Sequence, residues 1–176
     1  MDLAAVQFDG QGTAVERYAA AKARSGDASW TRKVGFVERH SNGHLLIRGV
    51  FAGHYVDVDE SDHVSELGGG EGALAGGLIG VLAGPPGIAV GLLAGALIGS
   101  QAGPPTDTEP EPEALADQLR EVVPPSTSAI VAIGSASEID GMLASVSDGA
   151  QSITRRTLSE PEQKALEEAL DAAPRV

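Results

Sequence analysis

The chain has 176 residues, enough for one compact domain, and its 12 basic and 25 acidic side chains give a net charge of −13, which argues against a nucleic-acid binder working by phosphate neutralisation. It contains no cysteine, which excludes a disulfide framework, a zinc–thiolate site and a thiol nucleophile. Aromatic residues make up 3% of the chain and glycine numbers 23, pointing away from a core of large rings and toward close backbone packing.

The opening residues, from Met1 to Asp9, show no basic region and no apolar run of signal-peptide length, so the bulk of the chain is expected in the cytoplasm. Leu3 to Phe8 alternates Ala4, Val6 and Phe8 on one side and reads as a first strand, with Asp2 and Asp9 as solvated charges. Gly12-Thr13 opens a helix through about Ser25, with Val15, Tyr18, Ala19 and Lys22 at helical spacing. Lys33 to Arg39 alternates again. Ser41-Asn42-Gly43 is a hairpin-turn signal, His44 to Val50 is the return strand, and extended character continues through Phe51 and Tyr55 to Val58.

Next comes a block of unusual composition. Residues 1–71 hold 11 acids and 7 bases, Gly72 to Thr106 hold none across 35 residues, and residues 107–176 hold 14 acids and 5 bases. Within the uncharged block glycine recurs every fourth residue, at Gly72, Gly76, Gly80 and Gly84, and again at Gly87, Gly91, Gly95, Gly99 and Gly103. That period lines one helix face with hydrogen atoms in place of side chains, so two backbones can approach closely. Pro85-Pro86 removes two amide donors between the two series and breaks a continuous helix, so the block reads as a helical hairpin. Glycine costs about 1 kcal/mol relative to alanine in a helix interior, and a bilayer or a tight protein contact must offset the sum. An arm of 13 residues reaches only ~20 Å against a hydrocarbon core of ~30 Å, and both flanks are acidic. A shallow or re-entrant hairpin, or one buried in protein, fits this arithmetic better than two full spans; a mobile low-complexity linker is a third reading.

Thr106 to Pro112 is an extended Pro/Glu/Thr linker. Glu113 to Val123 places Leu115, Leu119, Val122 and Val123 on one helical face and is ended by Pro124-Pro125. Ser128 to Gly134 is the strongest buried-strand candidate, Ser137 to Ser147 a helix carrying Ile139, Met142, Leu143 and Val146, and Gln151 to Leu158 a last strand. Ser159-Glu160-Pro161-Glu162 then caps a terminal helix to about Ala172.

The order is β-α-β-β, glycine hairpin, α-β-α-β-α. It predicts an α+β fold, a ferredoxin-like sandwich with helices on one face of an antiparallel sheet, interrupted by the inserted glycine-zipper hairpin. Residues 1–66 are its first half, 67–104 the hairpin, and 105–176 the linker and second half. Both ends of the hairpin are expected to emerge near each other on one side of the domain.

The N-terminal β-α unit, the strands around Ser41-Asn42-Gly43, the segment from Gly72 to Gly87 and the ending Ile153-Thr154-Arg155-Arg156-Thr157-Leu158-Ser159 together resemble the bacterial domain-of-unknown-function family numbered 1269. The resemblance implies a membrane-associated protein with a glycine-zipper hairpin, no established catalytic activity and a loose stress-related context. It carries over no catalytic residues.

Constellations with other chemistry are weak. Gly70-Glu71-Gly72-Ala73-Leu74-Ala75 fits the G-x-G-x-x-A dinucleotide pattern, but no strand runs into it and no acid follows within reach of a ribose. His54, Asp57, Asp59, Asp62 and His63 form a local set of hard and borderline ligands without a calcium-loop glycine, and read as a solvated acidic approach to the hairpin. His40 and His44 flank the hairpin turn. Arg155 and Arg156, adjacent in a strand, point to opposite faces, one toward a carboxylate of the sheet. No Gly-x-Ser-x-Gly elbow unites a serine with a histidine. The expectation is a non-enzymatic protein without metal or cofactor. Its partners would be a second copy of itself and the lipid bilayer at the cytoplasmic membrane; the alternative is a soluble homo-oligomeric scaffold or binding module with the hairpins packed in a protein core.

Overall fold

The computed structural model describes residues 1–25, 30–31, 33–51, 54–59, 123–160 and 163–164, with residues 45, 47, 50, 51 and 54–59 as backbone. The glycine hairpin, with Gly72, Gly76, Gly80, Gly84, Pro85, Pro86, Gly87, Gly91, Gly95, Gly99 and Gly103, lies outside the described residues, as do the linker, the segment 113–122 and most of the terminal helix.

The described elements run β1 (Asp2–Asp9), α1 (Thr13–Ser25), β2 (Lys33–Arg39), β3 (Leu45–Phe51), β4 (His54–Asp59), β5 (Thr127–Gly134), α2 (Ala136–Val146) and β6 (Ser152–Thr157). The six strands form one sheet in the order β4-β3-β2-β5-β1-β6. Every neighbouring pair is antiparallel. β1 and β2 are therefore parallel with β5 between them, and β5 and β6 are parallel with β1 between them. Each pair is joined by one helix, and helices that cross over a single strand in the same sense pack on the same face of a twisted sheet.

That face holds the principal core. Ala4, Val6 and Phe8 of β1, Ile130 and Ala132 of β5 and Val34 of β2 meet Ala14 and Ala21 of α1 and Ile139, Met142 and Val146 of α2. Burying an aliphatic or aromatic side chain of this size stabilises the fold by about 1.5–3 kcal/mol. Four of the six aromatic residues gather here despite their scarcity: Phe8 and Trp30 are buried, and Tyr18 and Phe36 pack against them. Tyr18 lies 5.6 Å from Trp30 and 5.3 Å from Phe36 between ring centroids, in the tilted and edge-on arrangements that ring quadrupoles favour.

Three expectations shift. The buried side of α1 is Ala14, Tyr18 and Ala21, while Ala19 and Lys22 are exposed. Small alanines at the inward positions let the helix approach the sheet, and a helical face laid out from Val15 misses them. The extended character past Phe51 is a separate strand: β4 folds back on β3 with Phe51 opposite His54 and Leu46 opposite Asp59. Third, the opposite face of the sheet is not solvated along its centre. Leu3 and Ala5 of β1, Val37 of β2 and Ala129, Val131 and Ile133 of β5 are all buried. The near-continuous apolar run of β5 carries this signal, since a strand covered on both faces loses its alternation.

The turn between β2 and β3 follows the sequence. Gly43, at φ 94°, donates its amide to the His40 carbonyl at 3.0 Å, and the His40 amide donates to the His44 carbonyl at 2.8 Å. A left-handed residue after a tight turn is the glycine position of a three-residue hairpin loop.

Candidate functional site

The starts of β1 and β2 and the ends of β5 and β6 share one end of the sheet, where Asp2 pairs with both Gly134 and Thr157 and Lys33 pairs with Ile133. α2 starts there. Ser135, with extended φ −67° and ψ 159°, is its N-cap and forms a capping box with Glu138. The Ser135 amide and hydroxyl both donate to Glu138 Oε2 at 2.8 Å, and the Glu138 amide donates to Ser135 Oγ at 3.4 Å. The Ser135 amide, and after it the hydroxyl, hold the Glu138 carboxyl below its ordinary range. The motif Ser135-Ala136-Ser137-Glu138 is the S-x-x-E start signal, so the helix begins one residue earlier than apolar spacing alone indicates.

Beside this cap lies an open cleft of about 620 Å³, lined among others by Met1, Trp30, Thr31, Lys33, Glu138 and Gln163. Thr31 shapes its floor: its hydroxyl donates to the Ile133 carbonyl and accepts from the Lys33 amide at 3.1 Å. At the neighbouring edge Arg155 donates from Nε at 3.0 Å and Nη2 at 2.7 Å to Asp2 Oδ2, and also bonds Asp140 of α2. Thr157 Oγ1 donates to Asp2 Oδ1 at 2.9 Å. Asp2 is thus a buried, paired carboxylate and not a solvated charge. Arg155 takes the carboxylate contact expected of one of the two adjacent arginines.

The carboxylates at this end are committed to holding the fold: Glu138 to its cap, Asp2 and Asp140 to Arg155. Neither cap nor ion pair presents a base to a nucleophile. Among the described residues no group of three or more His, Asp or Glu side chains could hold a metal ion. The ligand set weighed in the sequence falls on β4, described as backbone, with Asp57 paired to Arg48, and on Asp62 and His63 outside the described residues. His40 Nε2 stands 3.7 Å from Glu38 Oε2.

The opposite end of the sheet handles the chain's long excursion. β4 ends there at Asp59, in register with Leu46, and β5 starts there at Thr127, in register with Arg39 and Asp9. β3 and β2 stand between, so the departing and returning strands are about 14 Å apart at ~4.8 Å per strand. The return is pinned at several points. Val123 is buried and its carbonyl accepts from Arg39 Nη1 at 2.7 Å. The Ser126 amide donates to the Arg39 carbonyl at 2.9 Å, and the Gly10 amide donates to the Ser126 carbonyl at 2.8 Å. Ser128, fully buried, donates to the Gly10 carbonyl at 2.7 Å and accepts from the Ala14 amide at 3.0 Å. The sequence offers no signal for Ser128, because its partners lie 114 and 118 residues away.

The profile of the protein family of unknown function DUF1269 matches residues 70–171, more than half of the chain. The chain belongs to this family. The DUF1269 match takes in the glycine block, β5, α2 and β6, and leaves β1 to β4 outside. β5 and β6 do not pair with each other; each pairs with β1. The DUF1269 region of this chain is therefore completed by a strand from outside it. No curated protein and no solved structure matched the chain.

Proposed function

We propose that this protein is a non-enzymatic, membrane-associated member of its family that inserts the uncharged block 72–106 into a lipid bilayer as a helical hairpin and self-associates through its glycine faces. The observation that carries this reading is the block itself: 35 residues without a charge, with glycine at every fourth position on both sides of Pro85-Pro86. The placement of Asp59 and Thr127 at one end of the sheet supports it, because a hairpin must leave and return on the same side. The rest of the chain is a ferredoxin-like domain on the cytoplasmic side with the hairpin as its insertion. The strand order β6-β1-β5-β2 with two helices on one face supports that plan, β3 and β4 extending the sheet. The domain would hold the hairpin at the membrane in an envelope or general stress role.

No helix among the described residues is long and apolar enough to cross a membrane, so the membrane contact is proposed for the glycine block. The acidic flanks and the short arms favour a second reading, a soluble homo-oligomeric scaffold whose hairpins pack together in a protein core. Detergent-free fractionation at native expression, with an alkaline carbonate wash of the pellet, separates the two. Retention in the washed membrane supports insertion, and recovery as a defined large soluble species supports the scaffold. Replacing Gly80 and Gly91 with Leu puts large side chains into either glycine contact. Unchanged oligomer size and unchanged solubility in that variant would sink both readings.

A further inference from the structure

The buried patch on the sheet face opposite α1 and α2 has the dimensions of one helix. It spans three adjacent strands, with Val37 on β2, Ala129, Val131 and Ile133 on β5 and Leu3 and Ala5 on β1. Two strand spacings make a width of about 10 Å, and a helix with its side chains is ~10–12 Å across. Exposed Ser152 and Thr154 of β6 mark its border. Along β5 the patch runs from Ala129 to Ile133, about 14 Å.

We propose that residues 113–122 cover this patch as a helix lying along β5, making a second helical layer and leaving the glycine block outside the domain core. The last member of the apolar set Leu115, Leu119, Val122 and Val123 is already in place, because Val123 is buried and its carbonyl is held by Arg39. Arg39 is two residues beyond Val37 on β2 and shares its face. The chain before Val123 thus arrives over the patch from the end where β5 starts. Leu119 and Leu115 follow on the same helix face one and two turns back, and Leu115 to Val123 covers about 12 Å, close to the length of the patch. Asp117, Arg120 and Glu121 fall on the opposite side of that helix, toward solvent. This inference stands whether or not the glycine block enters a membrane, and it gives the block a fixed mount on the sheet.

The chain has no cysteine, so introduced pairs report contacts without background. In the full-length protein, Ala129→Cys is combined in turn with Leu119→Cys, Gly91→Cys and Leu166→Cys under mild oxidation, and links are mapped by peptide mass. An intramolecular link from position 129 to position 119, absent for 91 and 166, is expected. A link to 91 or 166 without one to 119, a link only between two chains, or no link at all overturns the proposal. Thiol labelling of the single variant Ala129→Cys gives an independent reading. Adding Leu119→Ser should raise the labelling rate by about tenfold or more as the cover loosens, whereas adding Gly91→Leu should leave it unchanged. The reverse pattern also overturns it.

Discussion

Arg155 of β6 grips Asp2 of β1 through two nitrogens, at 3.0 and 2.7 Å, across 153 residues of sequence. The same guanidinium bonds Asp140, so one side chain ties the edge strand β6, its neighbour β1 and α2 together. The Arg155 hydrogen bonds, followed by that from Thr157, hold the Asp2 carboxyl below the usual carboxylate range. A carboxyl with a depressed folded value takes up its proton more readily when unfolded. Its contribution is complete above the unfolded value, near pH ~4, and is lost as pH falls through the folded value. Asp2→Asn is expected to lower Tm by a few degrees at neutral pH, and the gap to the parent should close as the pH is taken below ~4. Thermal unfolding followed by circular dichroism across that range checks it; a gap independent of pH would show that the charge on Asp2 contributes nothing.

Ser128 reaches from β5 to cap α1. The first helical bond of α1 runs from the Glu16 amide to the Gly12 carbonyl, and glycine has no side chain with which to cap. The Ser128 hydroxyl supplies that contact at the Ala14 amide and satisfies the Gly10 carbonyl as well. Ser128→Ala strands the buried Ala14 amide and takes the donor from the part-buried Gly10 carbonyl, for an expected loss of about 1–3 kcal/mol. Urea denaturation should show a lower midpoint with an unchanged slope.

Gly49 and Gly35 face each other across β3 and β2. A Cβ on Gly49 would sit 2.5 Å from both Gly35 Cα and the Val34 carbonyl oxygen, backbone atoms that cannot yield as a side chain would. Gly49→Ala is expected to cost roughly 1–3 kcal/mol through overpacking. Gly43 makes the contrast: a Cβ there meets nothing within 4 Å, and only its φ of +94° disfavours a side chain. Asn tolerates left-handed backbone, so Gly43→Asn should unfold close to the parent midpoint while Gly49→Asn falls well below it.

The elements of this fold were legible where the signal is local. Val34 and Phe36 announce β2, Asn42-Gly43 the hairpin, and Ile139, Met142 and Val146 the inner face of α2, because each rests on spacing within one or two turns of chain. What escaped depends on partners brought together by register. Asp2 reads as a solvated acid until β1 pairs with β6 and delivers Arg155 and Thr157 to it. Ser128 is one serine among many until β5 lies under the start of α1. Ala14 and Ala21 of α1 are passed over when the inward face is laid out from the larger Val15, whose helical spacing takes in Ala19 and Lys22 instead, since the sequence does not show how closely the helix approaches the sheet.

The sheet order also predicts how the chain divides. Residues 70–171 contain β5, α2 and β6, yet the two strands are joined only through β1. A fragment of those residues strips β5 of both its neighbours, β1 and β2, takes from β6 its neighbour β1, and removes Val6 and Phe8 from beneath α2, so it is expected to show no cooperative unfolding transition. The complementary fragment, residues 1–59, carries Trp30, the one tryptophan of the chain, which in the intact fold lies against Tyr18 and beside Gly141 of α2. Mixing the two fragments should move Trp30 emission to shorter wavelength as its ring is buried, and restore a cooperative transition. Cooperative unfolding of the 70–171 fragment alone would show that β5 and β6 find a pairing that does not need β1.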